Sequence, residues 1–452
     1  MTQALTTYND RYISDFEGHS GELDAQPAWL RELRRQAVAH FREVGLPTAR
    51  KGNEPWKYTN VVPIAKSDFV YGLASPREPT VEELAAVGPW CTVWHEVAFV
   101  NGRYSLALSE SPATHEPREG LGGAVVGSLA AALTTHGDLI REHLGKYTPY
   151  DYDGFTALNT AFLTDGAFVY VPDGAEVTTH LHIVYLTTAD QPVVSYPRTL
   201  IIAGKRSKVT VVESYVSLGG GGYFNNAVTE IALDEGANVE HYRVLLDKDA
   251  YNVGVTRVRQ DADSSFASTV FETGGALTRN DFSVLLDGEG AECRLRGLYI
   301  TAGTQHVDNY LTIDHAKPHG RSRLYYKGIL DEKSKAVFGG TVFVRPGAIK
   351  TNAHQEDKNL VLSHEAEVDS KPALEIYADD VLCGHGATAG ALAEDALFYM
   401  ESRGIDEATA NQLLIRGFAS EVLDDVMEPL REYLEKQTSN ALPRFRRMEA
   451  RA

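Results

Sequence analysis

Two residues near the end of the chain have the types and the spacing of metal ligands. Cys383 and His385 stand two positions apart in the stretch DDVLCGHGAT, which begins at Asp379. In an extended strand, residues i and i+2 point to the same face, so the thiol and the imidazole are neighbours. Both are ligands for iron, zinc or copper(I). Two ligands leave a tetrahedral site incomplete, so we expect a metal here to be shared with other groups or another chain. The alternative is a capped junction with a buried cysteine.

A second pair with the same spacing is His180 and His182. With Gly174 six positions before His180, the pair matches the opening of the cupin metal motif. That motif also has a glutamate four or five positions after the second histidine, where this chain has Leu186 and Thr187. We therefore interpret the pair as structural. A metal-dependent, cupin-like enzyme centred on His180 and His182 stays open as the alternative function.

The remaining catalytic signatures are incomplete. Gly145-Lys146-Tyr147-Thr148 resembles the end of a phosphate-binding loop, but the motif requires a glycine where Ile140 stands. The sequence has no CxxC, HExxH or GxSxG pattern. Cys293 falls on an apolar position of the repeat described next, so we expect a small buried hydrophobe there. Cys91 is expected to be structural too.

The middle of the chain is repetitive. From about Phe168 to Thr388, a small residue, a spacer and an apolar residue recur, mostly at steps of 27 to 32 residues. The apolar positions are Val177, Val209, Val239, Phe266, Cys293, Leu324, Val337 and Val368. A period of about 30 in β-rich sequence suits one coil of a β-solenoid, whereas a propeller blade takes about 40–50 residues. Turns are expected at Gly174, Gly204, Gly236 and Gly290. A β-sandwich with long hairpins is the alternative from the pattern alone.

Helical segments are expected on both sides of the repeat. An amphipathic helix is predicted from Pro27 to about Val44, and Asn101-Gly102 predicts a hairpin. The predicted organisation is a mixed, mostly helical region over residues 1–165, a solenoid core over 166–388, and a helical region with a basic tail over 389–452.

The C-terminal region contains one helix with an apolar stripe. Asp406 is a plausible N-cap, and Leu414, Phe418, Val422 and Val426 recur every four residues after it. This stripe is expected either to pack on the end of the solenoid or to be presented to a partner.

Composition excludes several functional classes. The 452 residues include 62 acidic and 43 basic ones, giving a formal charge of −19, which argues against binding nucleic acid. No apolar run approaches the roughly 18–20 residues of a membrane span. The first residues have neither the basic start nor the apolar core of a secretory signal. Only three cysteines occur, which fits a reducing compartment, so a cytoplasmic location is expected.

Several stretches resemble the SufB/SufD family of iron–sulfur cluster assembly proteins. The most specific is Ala373–Ile405, ALEIYADDVLCGHGATAGALAEDALFYMESRGI, which is similar to the C-terminal signature of the family. The resemblance runs from about Asp153 to Leu423; the other matching stretches are FTALNTAF at Phe155, PRTLI at Pro197 and NLVLS at Asn359. Members have a right-handed parallel β-helix between helical ends. The resemblance therefore implies a mainly β fold, a right-handed parallel β-helix (β-solenoid) flanked by N- and C-terminal helical regions.

Within the family, the chain is most similar to SufD members. Glu54-Pro55-Trp56-Lys57-Tyr58-Thr59 resembles their E-x-W-[RK]-Y-T stretch, and PAWLRELR at Pro27 is similar to their first helix. SufB members usually carry further cysteines, including an N-terminal cluster, and this chain has none before Cys91.

The resemblance implies a scaffold without catalytic residues of its own. Such a subunit pairs with a SufB-like protein and with a SufC-like ABC-type ATPase that supplies ATP hydrolysis. It implies that His385, with Cys383, helps to hold iron or a transient iron–sulfur cluster at the subunit interface. It places ATPase docking on the helices from Asp406 to Val426; the candidate residues are Asn411, Leu414, Arg416, Phe418 and Val422. A homodimer of the isolated chain is possible, and some complexes of the family are associated with reduced flavin, although nothing in this sequence shows a flavin site.

A third function class is an enzyme with a β-helix that acts on acidic polysaccharide. Such enzymes are usually secreted and have basic clefts, whereas this chain is acidic and begins without a signal sequence. Scaffold, cupin-like enzyme and polysaccharide enzyme are separated by the metal content of the purified chain and by its partners.

Overall fold

The structure is a computed structural model of the chain. The residues that it describes are 2–19, 21, 26–49, 53–71, 78–89, 91, 93–109, 121–188, 191–219, 222–246 and 249–442.

Helices lie before and after a long run of strands. In chain order, the α-helices are α1 Thr2–Gly18, α2 Ala28–Val44, α3 Val62–Lys66, α4 Val81–Val87, α5 Leu106–Ser109, α6 Leu129–His143, α7 Gly154–Ala161, α8 Glu394–Glu401, α9 Glu407–Leu423 and α10 Leu430–Ala441. The expected helix after Pro27 is confirmed as α2, and Asp406 caps α9 by accepting a hydrogen bond from the Thr409 amide. None of the helices in the described ranges combines the length and apolar character that crossing a bilayer requires.

The strands are mostly long and follow one another through short turns. They are β1 Val70–Tyr71, β2 His95–Val100, β3 Arg103–Ser105, β4 Val125–Ser128, β5 Ala167–Val171, β6 Leu181–Thr188, β7 Val193–Ser195, β8 Arg198–Ala203, β9 Lys208–Leu218, β10 Tyr223–Leu233, β11 Asn238–Leu245, β12 Tyr251–Gln260, β13 Ser265–Glu272, β14 Leu277–Leu286, β15 Glu292–Thr301, β16 His306–His315, β17 Arg321–Leu330, β18 Lys335–Val344, β19 Asn352–Val361, β20 Glu367–Ile376 and β21 Leu382–Gly390. The predicted hairpin at Asn101-Gly102 is the antiparallel pair β2–β3.

The strands form a β-solenoid of about 7 turns, which confirms the predicted fold class. Odd-numbered strands from β9 to β21 pair in parallel in one sheet, which β6, β2 and β3 continue and which we call the odd sheet. Even-numbered strands from β8 to β20 pair in parallel in the facing even sheet, which β5 and β4 continue. Each coil contributes one strand to each sheet, so its inward side chains are buried only by the coils next to it.

The interior explains the repeat in the sequence. Inward residues of successive coils form rows in register; one row contains Val209, Val239, Phe266 and Cys293, all at most 1% exposed. The prediction that Cys293 is a buried hydrophobe is confirmed. At one corner of the coil, a residue with positive φ stands in each turn, a glycine at Gly174, Gly236 and Gly290 and Arg206 instead of Gly204 in the turn between the first two.

One repeat assignment is wrong. Lys335-Ala336-Val337 places Ala336 inward, in register with Val368, and turns Val337 to the outside of the even sheet. Both corners of a coil use the same turn followed by an apolar strand. The pattern therefore changes from the odd sheet to the even sheet between Leu324 and Ala336 without a visible break in period.

The N-terminal region is attached to the even sheet through the motif at Glu54. Trp56 is buried, with its ring 5.4 Å from that of Phe155 and 4.0 Å from the guanidinium of Arg279. The Thr59 hydroxyl donates to the carboxylate of Asp308, which also pairs with Arg279. The motif that suggested SufD is therefore a structural clamp between the N-terminal region and strands β14 and β16.

Helix α9 packs on the outer face of the odd sheet rather than on the end of the solenoid. Val422 and Val426 of the predicted stripe are buried, with Ile415 and Ala419 beside them. Leu414 and Phe418 are only half-buried, because the buried stripe is rotated by about one residue from the predicted one.

Candidate functional site

Cys383 and His385 lie on the last strand of the solenoid. β21 is the edge strand of the odd sheet, and within the described ranges it pairs only with β19. Its register places Cys383 beside Ala353 and His385 beside Gln355. Ala353 and Gln355 are both buried inward residues, so the two candidate ligands face the interior of the solenoid at its open end. The predicted shared face is confirmed.

Cys383 is the more enclosed of the two residues. It is half-buried against an apolar cluster that contains Val342, Val344 and Ala353. Burial raises the pKa of the Cys383 thiol, and a hydrogen bond with the backbone of Ala353 offsets part of this rise. The thiol is therefore largely protonated at neutral pH, and binding of a metal would displace its proton.

His385 is exposed because no further coil covers it. It lines a cleft of about 310 Å³ with residues of β19 and with Gly384 and Gly386, which leave the strand without side chains there. Among the described residues, His385 has no hydrogen-bond or ion-pair partner. Its ring is thus free to bind a ligand supplied from outside the solenoid. The expected acidity is only partly present, because Asp380 is paired with Lys350.

The last coil also leaves backbone and apolar surface uncovered. In the described ranges, β20 pairs only with β18, so both sheets end in an unpaired edge. Ile376, Tyr377 and Leu382 beside these edges are 40%, 59% and 68% exposed. Unpaired edges and exposed apolar side chains are features that proteins normally cover.

A chain of buried polar groups runs through the interior towards this end. The Glu272 carboxylate accepts hydrogen bonds of 2.7 Å from the side-chain amides of both Asn280 and Asn309. Burial raises the pKa of Glu272 to about 7, although these bonds and the Arg243 charge oppose the rise.

The chain ends at Asp357, which is buried one row from His385. Asp357 accepts hydrogen bonds from Ser370 (2.6 Å) and Asn359 (2.8 Å) and is in register with Ala387. Burial raises its pKa to about 6. Gln355 and Asp357 are thus the inward groups beneath the candidate ligands. Sequence reasoning did not select them, because only the register of β19 on β21 brings them together.

His182 is part of the structure of the odd sheet. It is 1% exposed, and its two ring nitrogens lie 2.8 Å from the Ser214 hydroxyl and 2.6 Å from the Glu96 carboxylate. His180 is half-buried beside Trp94, and burial lowers its pKa. In the described ranges, no three His, Cys, Asp or Glu side chains are grouped to hold a metal ion. These contacts favour the structural interpretation of the pair.

The loop that resembles a phosphate-binding loop binds a carboxylate of the chain itself. The amides of Gly145, Tyr147 and Thr148 donate to the two oxygens of Glu230 over 2.9–3.0 Å. Glu230 is fully buried and also pairs with Arg198. Because this side chain fills the amide nest, the loop has no room for a phosphate.

The candidate docking residues of α9 do not share one environment. Asn411 and Leu414 are half-buried, and Arg416 is exposed beside α10, where it contacts Ser439. Phe418 lies under the Lys327 ammonium, which is 4.0 Å from its ring, and Val422 is buried.

Sequence reasoning missed an exposed aromatic patch on the preceding helix. α8 contains no buried residue, and its Phe398 and Tyr399 are 73% and 59% exposed, next to Leu413 of α9 at 46%. Their position in the helix was predictable, but their exposure depends on how α8 lies on α9.

Comparison with known proteins agrees with this architecture. The family model of the SufBD core domain of the SUF iron–sulfur cluster assembly system matches residues 185–418, and the model of the SufBD N-terminal region matches 6–183. An iron–sulfur cluster assembly SufBD family protein of Synechocystis is 34% identical over 438 residues, covering 90% of this chain and 93% of its own. SufD of Escherichia coli is 28% identical over 423 residues, with the same two coverages. SufB of Bacillus subtilis is 24% identical over 437 residues, covering 91% of each chain.

Proposed function

Because the chain belongs to the SufBD family of iron–sulfur cluster assembly proteins, we propose that it is a non-catalytic scaffold subunit of a Suf-type assembly complex. In this role it helps to build and hold nascent clusters together with a SufB-like subunit, and a SufC-like ATPase supplies ATP hydrolysis. The cluster is the cargo of the complex.

The open end of the solenoid carries this proposal. Cys383 and His385 face the interior at an unpaired sheet edge, and the described part of the chain leaves His385 without a partner. A thiolate and an imidazole supply two ligands, whereas iron–sulfur clusters are commonly held by four. A second subunit that covers the edges would bring the remaining ligands and shield the cluster from water.

A SufB-like protein is the partner that we propose for this end. Both SufD and SufB proteins resemble this chain over about nine-tenths of its length. A paralogue with the same solenoid would present the same kind of open end. A homodimer could form through the same surface when the paralogue is absent.

The exposed surface of α8 and α9 is the proposed docking site for the ATPase. Phe398, Tyr399 and Leu413 form an uncovered apolar patch, and Asn411 and Arg416 lie on the same helical region. Since Phe418 and Val422 pack on the solenoid, they would support this surface from below rather than contact the ATPase. Association with flavin and a cytoplasmic location remain predictions.

The test is cluster assembly by a complex that contains His385→Ala. We expect the variant to fold and to co-purify with its SufB-like and ATPase partners, because the imidazole makes no contact that folding requires. Cluster formation should fall by about tenfold or more, since a ligand is lost, and complementation of a strain that depends on this pathway should fail.

His364→Ala is the matched control, because His364 is also exposed but lies in a turn. It should assemble clusters like the unaltered chain. Full complementation by His385→Ala would end the proposed role of this residue. Failure together with a lowered melting temperature would assign His385 to structure instead.

A further inference from the structure

The outer surface of the solenoid pairs opposite charges across neighbouring coils. Where a basic residue is exposed on one coil, a carboxylate usually stands next to it on an adjacent coil. The pairs are Lys205–Glu235, Lys208–Glu176, Arg259–Asp287, Arg321–Glu292, Lys333–Glu365 and Arg345–Asp314, with N···O distances of 2.7–3.2 Å. This is the expected arrangement, because like charges directly opposite one another destabilise a sheet.

One row of the odd sheet departs from this arrangement. Arg294, Arg323 and His354 are in register on β15, β17 and β19, all on the outer face and all exposed. We call these three residues the basic row. Neighbouring strands lie about 4.8 Å apart, so the two guanidinium groups and the imidazole are stacked over about 10 Å. Within the described ranges, no carboxylate pairs with any of the three.

The nearby carboxylates are already used by other groups. Glu292 pairs with Arg321 at 3.0 Å, and Glu356 pairs with Lys358 at 3.0 Å. The basic row lines a surface cleft of about 480 Å³ between these two glutamates. In a chain with a net charge of −19, three adjacent basic groups without a carboxylate are an unusual local field.

The adjacent rows show how such groups are satisfied on this face. Asp425, just after α9, lies 2.7 Å from Arg296, and Glu421 of α9 lies 2.7 Å from Lys327. The Tyr325 hydroxyl also donates to Glu421, over 2.5 Å. An acidic segment of the chain itself therefore lies across these rows and stops one row short of Arg294 and Arg323.

We propose that the basic row is a docking surface for an acidic segment of a partner protein. Carboxylates of that segment would contact Arg294 and Arg323 as Asp425 and Glu421 contact the adjacent rows. The row also continues to His354, which lines the cleft beside His385, so a partner at the open end can extend a segment along it. Because the rest of the chain repels acidic proteins, the row would also orient the approaching partner. The proposal does not depend on the role in cluster assembly.

Peptide binding tests the proposal directly. A fluorescein-labelled hexaglutamate peptide is titrated with the full chain at about 20 mM salt, where surface charges are weakly screened, and anisotropy is recorded. The double variant Arg294→Ser/Arg323→Ser should bind about tenfold more weakly than the unaltered chain. Lys205→Ser/Lys333→Ser removes the same charge from two paired sites and should bind within twofold of it.

Three binding results would overturn the proposal: no binding to the unaltered chain, equal weakening in both double variants, or unchanged binding after loss of both arginines. A single-stranded oligonucleotide that binds the row more tightly than the peptide would show a nucleic-acid surface instead. Displacement of the peptide by inorganic phosphate, beyond the effect of ionic strength, would show a small-anion site instead.

A second measurement needs no ligand. Arg323→Glu replaces two repulsive contacts with two attractive ones, so it should raise the melting temperature of the free chain by about 1 °C. Arg321→Glu, one row away, breaks a pair with Glu292 and should lower it. If Arg323→Glu lowers the melting temperature as much as Arg321→Glu, the basic row lacks no carboxylate and the proposal fails.

Discussion

The interior of the solenoid and its open end contain the same kinds of side chain in the same rows. His241 and His385 belong to one inward row of the odd sheet, and Cys293 and Cys383 belong to another. His241 is fully buried, 2.9 Å from Glu213 and 3.0 Å from Ser268, whereas His385 is exposed and has no described partner. The difference arises from a single cause, the presence or absence of a next coil.

This comparison separates structural from available groups. Burial alone would raise the pKa of Glu213, but the hydrogen bond and the charge of His241, together with Arg243, hold it below its ordinary value. Inside the solenoid, an ionisable side chain is therefore matched by the rows on either side. At the last coil the same backbone position offers its side chain to whatever covers the end.

The largest effect is expected from removing the inner histidine. His241→Ala leaves the Glu213 carboxylate buried without its main partner, which costs about 3–5 kcal/mol in the free energy of unfolding. His385→Ala should change it by less than about 0.5 kcal/mol. Thermal melting and the soluble yield of both variants check the comparison. Similar losses for the two histidines would show that the open end is as structural as the interior.

The next effect concerns pH and the buried Glu272. Its pKa is raised from 4.5 to about 7 in the folded chain, so between these values the folded state keeps a proton that the unfolded state has released. Its contribution is fully present below about pH 4.5 and is lost as the pH rises to about 7, by roughly 3 kcal/mol. Glu272→Gln cannot ionise, so we expect the variant to gain stability relative to the unaltered chain across this window.

Melting temperatures of both chains from pH 4.5 to 8 measure this gain. Asp357, whose pKa is raised to about 6, titrates in both chains and cancels in the difference. Parallel profiles would mean that Glu272 is ionised inside the solenoid at all these pH values.

The fold was accessible from the sequence because its period is local. Spacings near 30 residues gave the coil, and i, i+2 spacing placed Cys383 and His385 on one face. The register between coils was not accessible, because coil lengths vary by a few residues and both corners use the same turn chemistry. For this reason Val337 was assigned inward, and the basic row, whose members are 29 and 31 residues apart, was not found.

The environment of each candidate also depends on tertiary packing. Phe418 and Arg416 are two residues apart on one helix, yet Phe418 packs on Lys327 and Arg416 faces solvent. Helical spacing predicted an apolar stripe but not its rotation by about one residue. The exposure of Phe398 and Tyr399 likewise depends on how little of α8 the rest of the chain covers.

A smaller effect is expected at the glycines that make room inside the solenoid. A Cβ atom on Gly328 would lie 2.2 Å from Cε2 of Tyr299 and 2.4 Å from Oδ1 of Asn359. Gly328→Ala should therefore cost about 1–3 kcal/mol through overpacking. Gly386→Ala at the open end meets no atom within 4 Å and should be neutral or slightly stabilising. Equal melting temperatures for the two variants would contradict the close packing inferred for the interior.

The smallest effect separates the two cysteines of one row. Cys293 is 1% exposed, and burial raises the pKa of its thiol far above the ordinary value, whereas Cys383 is only half-buried. Cys293→Ala should cost about 1 kcal/mol and leave cluster assembly unchanged, and Cys383→Ala should cost less. In a Cys91→Ser background, a thiol reagent at pH 8 should modify one thiol per native chain, and Cys383→Ala should abolish that reaction.

The second thiol should react only when the solenoid unfolds, because the reagent requires a thiolate that it can reach. Two fast thiols in the native chain would mean that the interior opens near Cys293, and the contrast between the closed rows and the open end would then disappear. One fast thiol that persists in Cys383→Ala would place the accessible sulfur at Cys293 and remove Cys383 from the proposed ligand set. Only the loss of the fast reaction in Cys383→Ala agrees with a last coil whose inward face is open to a partner.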